Sequence, residues 1–302
     1  MKISVCIPTY NRFGHLKQAI ESCLAQTYKP FEIIISNDSS NDKSEKMIKQ
    51  LQADSHDISI RYIRNKPSLK QVKNVNQLFE MALGDYIILL HDDDLLHHEA
   101  LETFKSCYEQ DESIDIVFGK QYFMNDDGQV DIKRSEILNK VFYRTSQFEI
   151  NPLKPIEAGL VQQFPNDAYI IKSHIAKENG YREEAKDACD YEFGLRLGIK
   201  NYTMHFINKF TAYYRESNTS LSNNTYNNAG LTSYQIAKNT PVPESSLVLK
   251  NRWMLSKSPI ACVQAINLSN KKEAWAIYFD PWHRKKIFTL GGLKRFLMLL
   301  IK

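Results

Sequence analysis

Residues 86–96 read YIILLHDDDLL: five residues fit for burial, then His91 and three adjacent carboxylates, Asp92, Asp93 and Asp94. Side by side the three acids repel one another, and a divalent cation held between them keeps them ionised. Oxygen ligands of this kind suit magnesium or manganese, above all when phosphate oxygens of a bound nucleotide complete the shell. Taken alone, such a triplet is equally compatible with a solvated acidic loop. Two further polar clusters end apolar runs in the same way, TYNR (9–12) after ISVCIP and NDSSND (37–42) after FEIIIS.

The elements that must position these clusters follow from periodicity. ISVCIP (3–8) is a β-rich run stopped by Pro8, which has no N–H for a ladder. HLKQAIESCLAQ (15–26) places Leu16, Ile20, Cys23 and Leu24 on one helical face ahead of Pro30. FEIIIS (31–36) predicts a second strand, 42–53 a helix, and ISIRYI (58–63) a third strand. The spacing of Val72, Val75, Phe79 and Ala82 predicts a helix over 70–83, ended by Gly84 before the strand DYIILL (85–90). Strands alternating with helices, and apolar runs with little alternation, predict an α/β fold with a mostly parallel, Rossmann-like sheet flanked by helices. Ligands of such sheets sit beyond the carboxyl ends of the strands, where all three polar clusters fall. That position moves the acidic triplet from solvated loop to ligand crevice.

A helix at 97–109 and a strand IDIVFG (114–119) follow, and then the alternation lapses. YFMNDDGQV predicts a hairpin turning at Asp126-Asp127-Gly128, and 130–165 reads as irregular. A helix over 187–198 (DACDYEFGLRLG) and a strand near 202–214 close the compact part. The Asn/Ser-rich stretch 217–229 reads as a mobile loop, beyond which the chain is helical and increasingly basic.

Composition narrows the class. Of 302 residues, 43% are hydrophobic and 25% charged, which is ordinary for a soluble globular protein and argues against a fibrous or disordered chain. The length allows one large domain or a domain with an appendage. Five cysteines, an odd number lying far apart with no CxxC pair, argue against a disulfide framework or zinc ribbon and predict a reduced cytoplasm. The opening MKISVCIPTYNR carries no basic leader or long apolar segment, so no export signal is expected. The net charge of +4 is uneven: from Lys271 to Lys302, eight Lys/Arg face only Glu273 and Asp280, a local +6 that leaves −2 for the rest. A general nucleic-acid surface is therefore not expected. The dinucleotide fingerprint GxGxxG is absent, and PTYNRFG stands where a glycine-rich phosphate loop would follow the first strand. Both absences count against a dehydrogenase or nucleotidyltransferase.

SVCIPTYNR, QTYKPFEIIISNDSSND and NVNQLFEMALGDYIILLHDDDLL, in that order and spacing, resemble glycosyltransferase family 2, inverting enzymes with the GT-A fold. The resemblance covers roughly residues 1–222. It implies a catalytic domain with a nucleotide-sugar-binding half (1–119) and an acceptor-binding half (120–222), followed by a helical, basic C-terminal extension (223–302). By position it implies that Pro8, Thr9, Tyr10 and Arg12 line the nucleotide pocket and that Asp38 accepts a hydrogen bond from the base, with Asn37 where the family often has a first Asp. Lys70 is implied near the base or phosphates, or else as a solvated lysine at a helix start. Asp93 would be the direct ligand of a Mn2+ or Mg2+ ion bridging the diphosphate, Asp92 would lie on the ribose or metal side, and Asp94 would support the turn. His91, where many relatives have an Asp, leaves the register of the motif open by one residue.

DACDYEFGLRLG resembles the family segment that carries the catalytic base, which implies Asp190. Cys189 replaces the acid usual before it, so Asp187 and Glu192 remain alternatives. Asp190 can also be read as an exposed acid favoured by the helix dipole. YYRESNTSLS (213–222) resembles the closing strand and flexible loop, with Arg215 reaching the diphosphate; Glu216 and Ser217 stand where a histidine is usual, so no second metal ligand is assigned. Ordering of that loop over bound donor would exclude water.

The implied activity is metal-dependent, inverting transfer of a sugar from a nucleoside diphosphate donor, UDP-linked, to a saccharide or lipid-linked acceptor in O-antigen or capsule synthesis. The alternative is a non-catalytic nucleotide-sugar or carbohydrate-binding protein of the same fold. The tail RKKIFTLGGLKRFLMLLIK (284–302) is too short and too charged to span a bilayer. Two readings stay open for it: a segment lying on the anionic inner face of the cytoplasmic membrane, or a helix packed on the catalytic domain. Gly291-Gly292 is expected to break or bend any helix there.

Overall fold

The computed structural model describes residues 1–41, 43–55, 57–217 and 227–301. Strands β1 (Ile3–Thr9), β2 (Glu32–Asn37), β3 (Ser59–Arg64) and β4 (Tyr86–Leu89) alternate with helices α1 (Phe13–Leu24), α2 (Lys43–Asp54) and α3 (Lys70–Met81). The four strands pair in parallel in the order β3-β2-β1-β4, and β1 lies between Glu32–Asn37 and Tyr86–Leu89 along its length. Every residue of β2 is buried, and β1 is nearly so. Ile3, Val5 and Ile7 pack with Leu16, Ile20 and Phe104 on one face, while Cys6, Ile34 and Ile87 pack with Val75 and Phe79 on the other. Burial on both faces is why these strands read as unbroken apolar runs.

The second half extends the same sheet. β5 (Leu95–Leu96), α4 (Ala100–Gln110), β6 (Ile116–Met124), β7 (Val130–Asp131), β8 (Tyr169–Lys172), α8 (Ser173–Asn179), α9 (Cys189–Ile199) and β9 (Met204–Arg215) build the remainder. The order continues β4-β8-β6-β9-β5, with β6 and β9 parallel and β8 antiparallel to both of its neighbours. The hairpin at 126–128 forms between β6 and β7, with Gly128 at φ +84°. Gly119 lies at an irregularity of the β6–β9 pairing, and a Cβ there would come within 2.5 Å of the Lys209 carbonyl oxygen, so the close approach requires glycine.

Three expectations are corrected. The span 130–165 is not irregular: it holds α5 (Ile132–Val141), α6 (Ser146–Ile150) and α7 (Pro155–Leu160). In α5 the buried residues are polar, Ser135 and Asn139, which donate to and accept from the β6 backbone, while Ile132, Ile137 and Val141 face outward. Such a helix carries no apolar stripe facing the core and is invisible to a periodicity search. β8 and β5 were also not foreseen: β5 is only two residues long, and β8 offers three apolar residues, YII, without alternation and without a preceding strand–helix unit to mark it. Finally, Gly291 and Gly292 do not break a helix. They lie in the first turn of α13 (Leu290–Ile301), where Gly292 is buried and an added Cβ would come within 2.1 Å of the Lys286 carbonyl oxygen.

The C-terminal helices α10 (Ala229–Asn239), α11 (Leu247–Asn267), α12 (Lys271–Tyr278) and α13 pack on α7 and α9 through a third core. Leu160, Tyr191, Trp253, Met254 and Tyr278 lie in it, and the Tyr191 and Trp253 rings stack at 5.3 Å. Of the stretch read as a mobile loop, 218–226 lies outside the described residues. No helix among the described residues is long and apolar enough to cross a membrane.

Candidate active site

The chain leaves β1 at Thr9, turns through Asn11 at φ +56°, a conformation asparagine tolerates better than most residues, and enters α1 after Arg12. This loop is clasped to the one after β4 through Asp92. Thr9 Oγ1 donates to Asp92 Oδ2 at 2.6 Å and the Tyr10 N–H to the same oxygen at 3.2 Å. Arg12 Nη1 donates to Asp92 Oδ1 at 3.1 Å and to Asp93 Oδ2 at 2.6 Å. Burial, with the charge of Asp93, pushes the Asp92 carboxyl above its ordinary pKa, against the pull of Arg12 and the bonds from Thr9 and Tyr10. For Arg12 burial works against the charge, but attraction to Asp92 and Asp93 outweighs it and the guanidinium is held more firmly protonated than usual. The Tyr10 ring is 58% exposed beside this cluster.

One ligand atom each from His91, Asp93 and Asp94 lie within 4.8 Å of one another. Asp94 Oδ1 accepts the Arg215 N–H at 2.7 Å. Its carboxyl is pushed well above the usual range by burial, then by Asp167 and Asp93, and the Arg215 N–H only partly opposes this. Asp167, buried two residues ahead of β8, accepts the His91 N–H at 3.0 Å through Oδ2, and the His91 Nδ1 lies 4.0 Å from that oxygen. An imidazole and two carboxylates, with the Asp94 anion disfavoured by burial and by Asp167 and Asp93, fit a divalent cation; oxygen donors suit magnesium or manganese and imidazole leans toward manganese. Of the two residues proposed from sequence for the metal, Asp93 belongs to this triad, while Asp92 faces Thr9 and Arg12.

Asp38 and Lys70 meet at the ends of β2 and β3. Asp38 Oδ1 accepts from Asn65 Nδ2 at 2.7 Å, and Oδ2 accepts from Ser68 Oγ at 2.8 Å and from the Lys70 N–H at 2.7 Å. The carboxylate thus organises the loop ahead of α3, where Lys70 has φ +65° and its side chain is exposed. Pro8 is partly exposed and pairs in register with Ser36. Arg215, at the end of β9, is turned inward: Nε donates to the Asp93 carbonyl oxygen at 2.7 Å, Nη1 to that of Asp126 at 2.9 Å and Nη2 to Gln18 Oε1 at 2.6 Å. At 2% exposure, this side chain ties α1, the hairpin and the acidic turn together.

Asp190 sits in the first turn of α9, partly buried, its Oδ1 accepting the Tyr191 N–H at 2.7 Å. Burial raises its pKa above the ordinary carboxylate value, outweighing the Tyr191 N–H and the attraction of His91. Among the charges that act on it are those of His91, which lowers its pKa, and Asp167, which raises it. The two alternatives are engaged elsewhere: Asp187 accepts the Asn228 N–H at 3.1 Å, and Glu192 pairs with Arg196 at 2.7 Å. Glu216 is exposed and paired with Arg134 at 2.9 Å.

Sequence reasoning missed Asp167 and Gln18. Asp167 reaches this edge because β8 is antiparallel, so its beginning lies where the parallel strands end: Tyr169 faces Leu89. A polar residue just ahead of an apolar run is the only trace of this in the sequence.

Residues 4–169, more than half of the chain, match the family model described as Glycosyl transferase family 2. An uncharacterised glycosyltransferase of Methanocaldococcus jannaschii is 29% identical over 218 residues, 72% of this chain and 71% of that protein. A Campylobacter jejuni protein named GalNAc(5)-diNAcBac-PP-undecaprenol beta-1,3-glucosyltransferase is 39% identical over 104 residues, 34% of this chain and 33% of that one. Among solved structures, a mannosyltransferase from Pyrobaculum calidifontis in complex with GDP-Man and Mn2+ superposes with a TM-score of 0.61 at 11% identity, over 100% of this chain and 86% of its own. That likeness establishes the fold as GT-A-like.

Proposed function

The chain belongs to glycosyl transferase family 2 and is a glycosyltransferase, and on that premise we propose that it transfers a sugar, with inversion, from a uridine diphosphate donor to a saccharide or lipid-linked saccharide acceptor in surface polysaccharide (O-antigen or capsule) synthesis at the cytoplasmic face of the membrane. The observation that supports this reading is the His91, Asp93 and Asp94 triad just beyond the end of β4, together with a partly buried carboxylate, Asp190, in the first turn of α9.

In this reading Asp93, Asp94 and His91 hold a divalent cation. When bound, it would stabilise the negative charge of the departing diphosphate. Arg12, already shared between Asp92 and Asp93, adds a fixed positive charge beside the phosphates. Tyr10 presents its exposed ring to the nucleoside and Asp38 accepts from the base, through the remaining lone pair of an Oδ1 that takes one donor from the protein. Asp190, oriented through Oδ1 by the Tyr191 N–H, takes the proton of the attacking acceptor hydroxyl on Oδ2. Its raised pKa makes it a stronger base than an exposed aspartate.

The lipid-linked acceptor is supported by the name of the Campylobacter relative. The uridine base rests on the family resemblance of the N-terminal motifs, and guanosine is its competitor, since the Pyrobaculum mannosyltransferase was solved with GDP-Man. A screen of donor hydrolysis across nucleotide sugars, with and without manganese, tests the proposal. Manganese-dependent release of UDP from one UDP-sugar is expected. Release of GDP alone would reassign the base, and donor binding without hydrolysis or transfer would leave a binding protein.

A further inference from the structure

Of the two readings of the C-terminal tail, packing on the body of the protein is seen in α13. One face of the helix is packed: Leu299 and Gly292 are buried, Phe296 and Met298 lie against the third core, and the Phe296 ring meets Trp275 edge-on at 5.9 Å. The other face is apolar too, and exposed. Leu290 is 88% exposed, Leu293 50%, Leu297 58%, Leu300 60% and Ile301 83%, and Phe288 just ahead of the helix is 93% exposed. At helical spacing the five α13 residues fall within an arc of about 100°, the width of a stripe that normally faces a core.

The charge of the tail that carries this stripe is of one sign. From Pro281 to Lys302 the chain has six Lys/Arg and no Asp or Glu. Arg284, Lys285 and Lys294 are exposed, while Arg295 is turned back to His283. Exposed basic residues before and within a helix whose apolar stripe has no partner among the described residues match the boundary of an anionic bilayer, where phosphate head groups take the cations and the acyl boundary takes the leucines. α13 has 12 residues, about 18 Å of helix, well short of the roughly 30 Å hydrocarbon core, so it can lie in the interface but not cross it.

We propose that the exposed face of α13, with the basic turn at 284–286, is a docking surface for an anionic lipid bilayer, and that the packed face couples the bound helix rigidly to the catalytic part through α11, α12 and α9. This inference rests on the tail alone and stands whether or not the donor and acceptor assignments hold. Leu290 is almost wholly in water and Leu293 and Leu297 are at least half exposed, while the packed face rests on Gly292, Phe296 and Leu299, which the substitutions below leave unchanged.

The test is co-sedimentation of the full chain with phosphatidylglycerol/phosphatidylcholine vesicles against pure phosphatidylcholine vesicles. Binding to the anionic vesicles, weakened by salt, is expected. Leu290→Gln/Leu293→Gln/Leu297→Gln should lower partition by about 100-fold or more with an unchanged circular dichroism spectrum. Arg284→Gln/Lys285→Gln should lower it by about 25-fold, roughly fivefold per charge. Failure of the unaltered chain to sediment with anionic vesicles overturns the proposal, and so does equal binding by the triple leucine variant. A chain that self-associates by light scattering, loses this in the triple variant and ignores vesicles would assign the face to a second copy instead.

Discussion

Arg215 separates two accounts of the same residue, a ligand of the donor diphosphate or a brace for the acidic turn. In Arg215→Met the stem is retained in outline while three donors vanish, those to the carbonyl oxygens of Asp93 and Asp126 and to Gln18 Oε1. Hydrogen bonds from a charged donor are worth about 1.5–3 kcal/mol each, and acceptors left buried without a partner cost about 1–3 kcal/mol. The three are not additive, and the methionine recovers some packing, so a loss of about 3–5 kcal/mol is expected. Asp94 keeps its bond to the Arg215 N–H, which the substitution spares. The backbone of Asp93 loses its anchor, so manganese affinity should fall by about tenfold even without donor. Urea unfolding followed by circular dichroism gives the first quantity and calorimetric titration with MnCl2 the second. A stability change under about 1 kcal/mol, with unaltered manganese binding and weakened nucleotide binding, would refute the brace and restore the ligand.

Four further outcomes follow from the site. Asp190→Asn should abolish transfer by about 10²–10⁴-fold while donor and manganese binding persist; because the folded-state pKa of Asp190 is raised, ionisation at neutral pH opposes folding, so this variant should also unfold at higher urea at pH 7.5 than the parent, with the gap closing at acid pH. For the same reason kcat/KM should rise with pH through a midpoint above the ordinary aspartate value of about 4, and an acid limb at or below that value argues against Asp190 as the base. Arg12→Gln removes a cation that shares Asp93 Oδ2, so donor-free manganese affinity should rise by roughly tenfold, and a decrease would show that Arg12 helps rather than opposes the ion. Asp93→Asn should cost about 100-fold in manganese affinity by calorimetry, whereas Asp92→Asn should mainly lower stability by loosening the clasp to Thr9 and Arg12; the reverse pattern would move the metal to Asp92.

What could be read from the linear chain was whatever burial on both faces of a parallel sheet imposes locally. β1, β2 and β4 are apolar because helices cover both sides, and the polar residues that end them mark the crevice, so Thr9, Asp38 and Asp93 were within reach. α1 and α3 were legible for the same reason, each with one buried stripe. α5 was not, since hydrogen bonding to the β6 edge needs Ser135 and Asn139 inside, and polarity inside inverts the pattern.

Tertiary structure alone decided the partners. Asp92 and Asp93 are neighbours of the same type and both meet Arg12, yet one is bound by Thr9 and Tyr10 and the other shares ligand space with His91 and Asp94, because successive residues in a tight turn point in different directions. Asp167 joins this turn at His91 across 76 residues through the antiparallel entry of β8, and Arg215 joins it at Asp94 across 121 through the end of β9. Residue type and spacing set where carboxylates gather at the sheet edge; which of them can meet a cation, a base or an arginine depends on strand direction and order, which no local pattern encodes.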